Sequence, residues 1–186
     1  MLLVICLVGA AMLLVAWQFL YCKFKYSKNS KDMVIYDTWA AHEDEVLRQF
    51  LKDVEASGKA NLTVFKNTVD GNIEVGYGHV VQPSDNLKLG DKITQEKAEG
   101  LLTNDIIKHH KLYIPKLKGQ EIKTGIARLL VSHAYNTGTA SDTLVSMALQ
   151  GFINEDWHTN HYVTAKGSTA VVPGLVNRRK NELTLV

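Results

Sequence analysis

A glutamate at the close of a helix, a glycine-rich run and a scatter of histidines are the residues here whose types and spacing suit chemistry. Val46, Leu47, Phe50, Leu51 and Val54 recur at three- and four-residue steps, the signature of one apolar helical face. Glu55 follows that stripe and Ala56-Ser57-Gly58 ends it. A helix-end carboxylate taken alone is more often simply solvated, but one so placed can lean into a cleft between the helix and the next element. Against apolar walls its pKa rises, which suits a general acid near neutral pH. Next comes Gly71-Asn72-Ile73-Glu74-Val75-Gly76-Tyr77-Gly78-His79. Gly76 and Gly78 let the backbone pass close to a ligand and to the helix, where a side chain would clash. The histidines offer less. His109 and His110 are adjacent and point to different sides of a helix, and His158 and His161 are three apart with no carboxylate pattern beside them. Surface or capping roles are expected for them, with no metal and no cofactor. No nucleophile elbow, P-loop or dinucleotide fingerprint is present.

The elements that must position these residues are legible in outline. Leu62-Thr63-Val64-Phe65 and Ile73 to His79 are short β-type runs flanking Asp70-Gly71, a hairpin turn signal. Thr94 caps a helix with Glu96 in its first turn and Ala98, Leu101, Leu102, Ile106 and Ile107 as its stripe. A second helix is expected from near Gly119, with Ile122, Ile126, Leu129, Leu130 and Ala134 on one face and Gly138 at its end. Leu144 to Leu149, a segment around Trp157, and Leu175 to Leu183 complete a helical bundle. The class is α+β, mostly α.

The 186 residues suffice for one domain with a real core. Hydrophobic residues at 46% and charged residues at 22% exclude a disordered chain. A formal net charge of +2 is too mild to argue for nucleic acid, and the basic residues near 23–31 lack aromatic interleaving. The average hides an asymmetry: no residue from Met1 to Cys22 is charged. Residues 2–21 have about the length that crosses a bilayer core, roughly 20 residues, with Trp17 and Tyr21 near the end. Residues 1–22 are therefore read as a transmembrane or signal-anchor helix, 23–40 as a basic linker and 41–186 as the folded domain. A cleaved signal peptide fits less well, for want of a basic start and a clean cleavage site. Gly9, Ala10, Ala11 and Ala16 keep open a signal-anchor that later leaves the bilayer. Lys23, Lys25, Lys28 and Lys31 would by the positive-inside rule hold the domain in the cytoplasm. If the domain acts outside, that rule is broken here, or the membrane is not a simple plasma membrane. Cys6 and Cys22 are the only cysteines, so residues beyond them form no internal disulfide and no cysteine-based zinc site.

The run 71–79 resembles the G-x-x-T-x-G-Y-G-H signature of phage-type lysozymes, glycoside hydrolase family 24. FLKDVEA (50–56) is similar to that family's first helix with its catalytic Glu, and FKNTVDG (65–71) to its first strand and turn. KITQEKAEGLLTNDI (92–106), HAYNTGTAS (133–141) and PGLVNRRKNE (173–182) resemble later family elements in the right order. The resemblance implies a lysozyme-like fold, with 41–186 as the catalytic domain of a muramidase acting on peptidoglycan and Glu55 protonating the β-1,4 glycosidic oxygen. It implies action on the periplasmic or cell-wall side, from a host membrane or the membrane of a virion. It implies a His79–Asp105 ion pair tying the hairpin to the next helix, with Gly76 and Gly78 as further structural support. Asn67, Tyr77, Asn136 and Arg178 become substrate contacts, Arg178 alternatively orienting Glu55. Arg179 and Glu182 become packing or surface ion-pair residues.

The departures from the family pattern are specific. Asn67 stands where the family has an Asp that handles water, and an amide cannot be a general base. Glu74 stands at the family's Thr, and the stretch from the acid to the strand is longer, through Ser57 to Asn61. Glu74 is therefore the candidate base, Asp70 a weaker one. An inverting hydrolase holds its carboxyl groups roughly 6.5–9.5 Å apart to admit water. Two alternatives stand: a lytic transglycosylase that needs Glu55 alone, with Asn67 binding the sugar, and an inactive, membrane-tethered peptidoglycan-binding module.

Overall fold

The computed structural model describes residues 32–68, 71–164 and 168–186. The apolar segment 2–21, the first part of the expected linker and Asp70 lie outside the described residues.

The rest of the expected linker is part of the fold. Strand β1 (Met33–Ile35) pairs antiparallel with β5 (Glu121–Lys123), Val34 opposite Ile122. Tyr36 beyond it is fully buried, and its carbonyl accepts from His110 Nε2 at 2.8 Å. A four-residue apolar run among basic and polar neighbours is too short to show a period, so only the partner strand reveals it.

Helix α1 (Glu45–Ala56) buries Leu47, Phe50 and Leu51. Asp44 caps it, accepting from Leu47 N at 2.9 Å and from Arg128 Nε with both oxygens at 3.0 Å. Ser57, in the left-handed region at φ 50°, stops the helix. Glu55 thus sits in its last turn.

Strands β2 (Asn61–Lys66), β3 (Ile73–Gly76) and β4 (His79–Val80) form an antiparallel sheet in that order. The expected single strand over 73–79 is in fact two. It breaks at Gly76-Tyr77-Gly78, and His79 folds back opposite Val75. The two glycines hold φ 69° and 82°, a region unfavourable to side chains.

Helix α2 (Gln95–Leu117) runs beneath this loop, Thr94 capping it from Lys97 N at 3.2 Å. A Cβ on Gly76 would meet Ala98 Cβ at 3.5 Å, so the loop lies on the helix. Helix α3 (Thr124–Thr137) is the centre of the molecule, buried at every residue from Thr124 to Ala134. It starts later than expected because Ile122 belongs to β5, and it ends at Gly138 as expected. Helices α4 (Asp142–Leu149), α5 (Glu155–Asn160) and α6 (Pro173–Glu182) pack around it, and the final residues run against its first turn.

Candidate active site

The end of α1, the β3–β4 loop and α6 meet at Glu55. Its side chain is 19% exposed, and its Oε1 accepts from Arg178 Nη1 at 2.5 Å. Its other oxygen faces the loop: a Cβ on Gly78 would stand 3.5 Å from Oε2. A carboxylate at a helix C-terminus sits against the negative end of the dipole, and the Arg178 guanidinium compensates.

Arg178 is itself buried and held on all three nitrogens. Its Nε donates to Glu182 Oε1 at 3.2 Å, and its Nη2 to Ser132 O at 3.3 Å and Ser132 Oγ at 3.1 Å. The guanidinium lies 5.8 Å from the Phe50 ring centre. Burial works to lower its pKa, and the Glu55 and Glu182 carboxylates more than offset that, so it is raised. Of the two roles expected for Arg178, the geometry matches holding Glu55, since Nη1 donates to its carboxylate while Nε and Nη2 are held by Glu182 and Ser132.

Glu74 is half-buried on the face of β3 opposite Val75, opposite Phe65 of β2. Asn67 Nδ2 donates to Glu74 Oε1 at 2.9 Å. The amide in place of the family's acid therefore serves the neighbouring carboxylate. Tyr135 of α3 donates from its hydroxyl to the Tyr77 carbonyl at 3.0 Å, pinning the loop. Its pKa is raised well above the ordinary value by burial, then by the charges of Asp105, Glu55 and Glu74.

His79 is clamped twice, Nδ1 on Asp105 at 2.8 Å and Nε2 on Asp85 at 2.9 Å. Burial opposes its charge, and the two carboxylates outweigh burial and raise its pKa. The expected ion pair is present; Asp85 was not foreseen.

Tyr77 is not placed for substrate. It is 4% exposed, its hydroxyl accepting from Gln95 Nε2 and donating to Glu99 Oε1, both at 2.9 Å. Arg48 and Lys52 of α1 reach the same Glu99 at 2.7 and 2.8 Å, so the side chain ties the loop to two helices. Asn136 is exposed near α6, its Oδ1 accepting from Arg179 Nη2 at 2.5 Å.

Of the packing and surface roles expected for Arg179 and Glu182 the geometry matches packing, while the histidines expected at the surface or in caps include interior ones. Arg179, Glu182 and His158 are fully buried, with His158 Nε2 donating to Glu182 Oε2 at 2.9 Å. His110 is buried against Tyr36, and His109 lies 5.0 Å from the Tyr135 ring with its Nδ1 on Asp105 O. Helical period placed 178, 179 and 182 on one short helix but could not say which faces were covered. Among the described residues no group of three or more His, Cys, Asp or Glu is placed to hold a metal ion.

The family model described as phage lysozyme matches residues 56–182, more than half of the chain, starting one residue after Glu55. This chain belongs to the phage lysozyme family. It is 30% identical over 120 residues to an endolysin of Acyrthosiphon pisum secondary endosymbiont phage 1, across 62% of this chain and 80% of that one. The muramidase domain of SpmX from Asticaccaulis excentricus shares the fold, with TM-score 0.60 and 23% identity over 76% of this chain and 95% of that one. An endolysin from Escherichia coli O157:H7 phage FAHEc1 superposes with TM-score 0.58 and 26% identity, over 74% and 90% of the two chains. As a phage-type lysozyme, this protein is a glycoside hydrolase.

Proposed function

We propose that this lysozyme is a muramidase of bacterial peptidoglycan, cutting the β-1,4 bond between N-acetylmuramic acid and N-acetylglucosamine. The carrying observation is the asymmetry of Glu55, with Arg178 on Oε1 and Oε2 beside Gly78. A proton on Oε2 passes to the glycosidic oxygen as the C–O bond breaks. Water attacks the anomeric carbon from the opposite face and gives its proton to Glu74, which Asn67 holds by Oε1. Solvent returns a proton to Glu55 and takes one from Glu74. The product is a new reducing end with inverted configuration.

Mass spectrometry of digested cell walls tests this. Reducing ends are expected, with Glu55→Gln inert and Glu74→Gln losing hydrolysis. Anhydro ends, lighter by one water, would show that a sugar hydroxyl attacks and that Glu55 acts alone. Undiminished wall turbidity would mark a binding module instead.

We also propose that residues 2–21 tether the enzyme to a membrane beside the wall and that its activity serves host-cell lysis. The support is the uncharged apolar run in the sequence and the likeness to endolysins. Among the described residues no helix is long and apolar enough to cross a membrane. The tether places the enzyme in membrane fractions of expressing cells; recovery only as soluble protein throughout would overturn it. A shift to soluble material before lysis would identify a released anchor.

A further inference from the structure

The buried charges behind Glu55 form a connected chain. Glu182 sits at its centre with no exposed surface. Its Oε1 accepts from Ser132 Oγ at 2.9 Å and Arg178 Nε at 3.2 Å. Its Oε2 accepts from His158 Nε2 at 2.9 Å, with Arg179 Nη1 at 3.2 Å. Arg178 then reaches from this carboxylate to Glu55.

We propose that Glu182 is a positioning residue for the glycosidase reaction, sharing the charge of Arg178 with Glu55 and fixing the guanidinium that orients the acid. The inference rests on the reading of Glu55 as proton donor. Two physical effects lead to it. A guanidinium is planar, so hydrogen bonds at Nε and Nη2 set the direction of Nη1, the donor left for Glu55. A lone buried cation would favour the ionised form of Glu55 strongly, whereas one divided between two carboxylates favours it less. Ser132 accepts from Arg178 and donates to Glu182, locking their relative positions. His158 and Arg179 hold the far oxygen of Glu182, so that the carboxylate does not turn away. The chain thus serves a proton donor that must keep its proton until substrate arrives.

Glu55 also acts electrostatically on Tyr135 from α3, His109 from α2 and Arg179 behind Arg178, and Asp105 of α2 and Glu74 of β3 act with it on Tyr135. None of them bonds to Arg178. Removing the Glu182 charge leaves these groups in place, but it frees Arg179 as well as Arg178 from their shared counter-charge, and both cations then act more strongly on Glu55.

The test is the pH profile of kcat/KM on purified cell walls, with KM and kcat measured separately. Glu182→Gln is expected to move the basic limb, where the acid loses its proton, to lower pH by on the order of one unit. Its kcat falls about tenfold or more, because misorienting a reacting group costs rate, while KM stays near wild type. Glu182→Asp keeps a counter-charge and so folds where Gln does not; drawing that charge back by one methylene moves the limb the same way by less. A basic limb that coincides with the wild type in the folded variant overturns the proposal, even if activity drops, because a merely structural role predicts that pattern. Glu55→Gln, run alongside, separates the two levels. Full activity there overturns Glu55 as the acid, whereas an inert Glu55→Gln with unmoved limbs overturns only the role of Glu182.

Discussion

Glu55 has two oxygens in two surroundings. Oε1 is held by a buried arginine; Oε2 lies against a backbone with no side chain. Asn67 shows the same economy, since its amide donates to Glu74 where a carboxylate would repel it. Asn67→Asp therefore sets two carboxylates in contact, and one of them takes up a proton near neutral pH. If Glu74 must be ionised to accept a proton from water, the acidic limb of the activity profile moves up. Activity at pH 5 should fall more than at pH 8. Equal rates at both pH values, relative to wild type, would remove Glu74 from the reaction.

At the scale of elements, the β3–β4 loop and the start of α3 depend on glycine for different reasons. Gly78 stands at φ 82°, and a methyl there would also cover Oε2 of Glu55. Gly78→Ala is expected to cost about 1–2 kcal/mol of stability through the left-handed backbone. It should also lower kcat at least tenfold by about the loss of one aligned contact. Denaturant melts beside wall-digestion rates check both. Gly125 has an ordinary backbone, yet a Cβ there would fall 2.3 Å from the carbonyl oxygen of Leu185. Backbone cannot rotate aside, so Gly125→Ala pushes the last residues off α3 at a cost of about 1–3 kcal/mol. Lowered stability with unchanged activity per folded molecule is the expected pattern. A variant as stable as wild type would show that this close approach is not a constraint.

For the whole molecule, the buried groups around α3 set the response to acid. Burial pushes His133 down to about 3, so the folded state keeps it neutral. Burial alone would raise Glu182; the His158 hydrogen bond and the charges of Arg179 and Arg178 win and hold it at about 2. In both cases the unfolded chain binds more protons than the folded one, so acid favours unfolding. The His133 contribution is complete above its unfolded value of 6.5 and declines as pH falls toward 3. The Glu182 contribution is complete above 4.5 and is lost as pH falls toward 2. His79 has the opposite sign: its pKa is raised, so its contribution is present below 6.5 and lost as pH rises through its folded value. Urea midpoints from pH 8 to 4 should drop on the acid side of 6.5 and more steeply below 4.5. His133→Gln should flatten the first part and leave the second. A midpoint unchanged between pH 6.5 and 4.5 in the wild type would refute this account of His133.

What the sequence determined by itself was whatever local pattern fixes. Stripes at helical spacing located α1, α2 and the body of α3, and Ser57-Gly58 and Gly138 marked two of their ends. The ordered motifs placed Glu55, the glycine loop and the His79–Asp105 pair. What tertiary structure alone decided was which polar groups are covered and by whom. Strand β1 emerged only through its partner 88 residues later, Val34 opposite Ile122. Tyr77 became a tie between helices, and Arg178, Arg179, Glu182 and His158 became an interior charge network. A side chain's type is local, but its burial and its counter-charge come from elements distant in the chain. Periodicity names the face that turns inward; it does not name the neighbour waiting there.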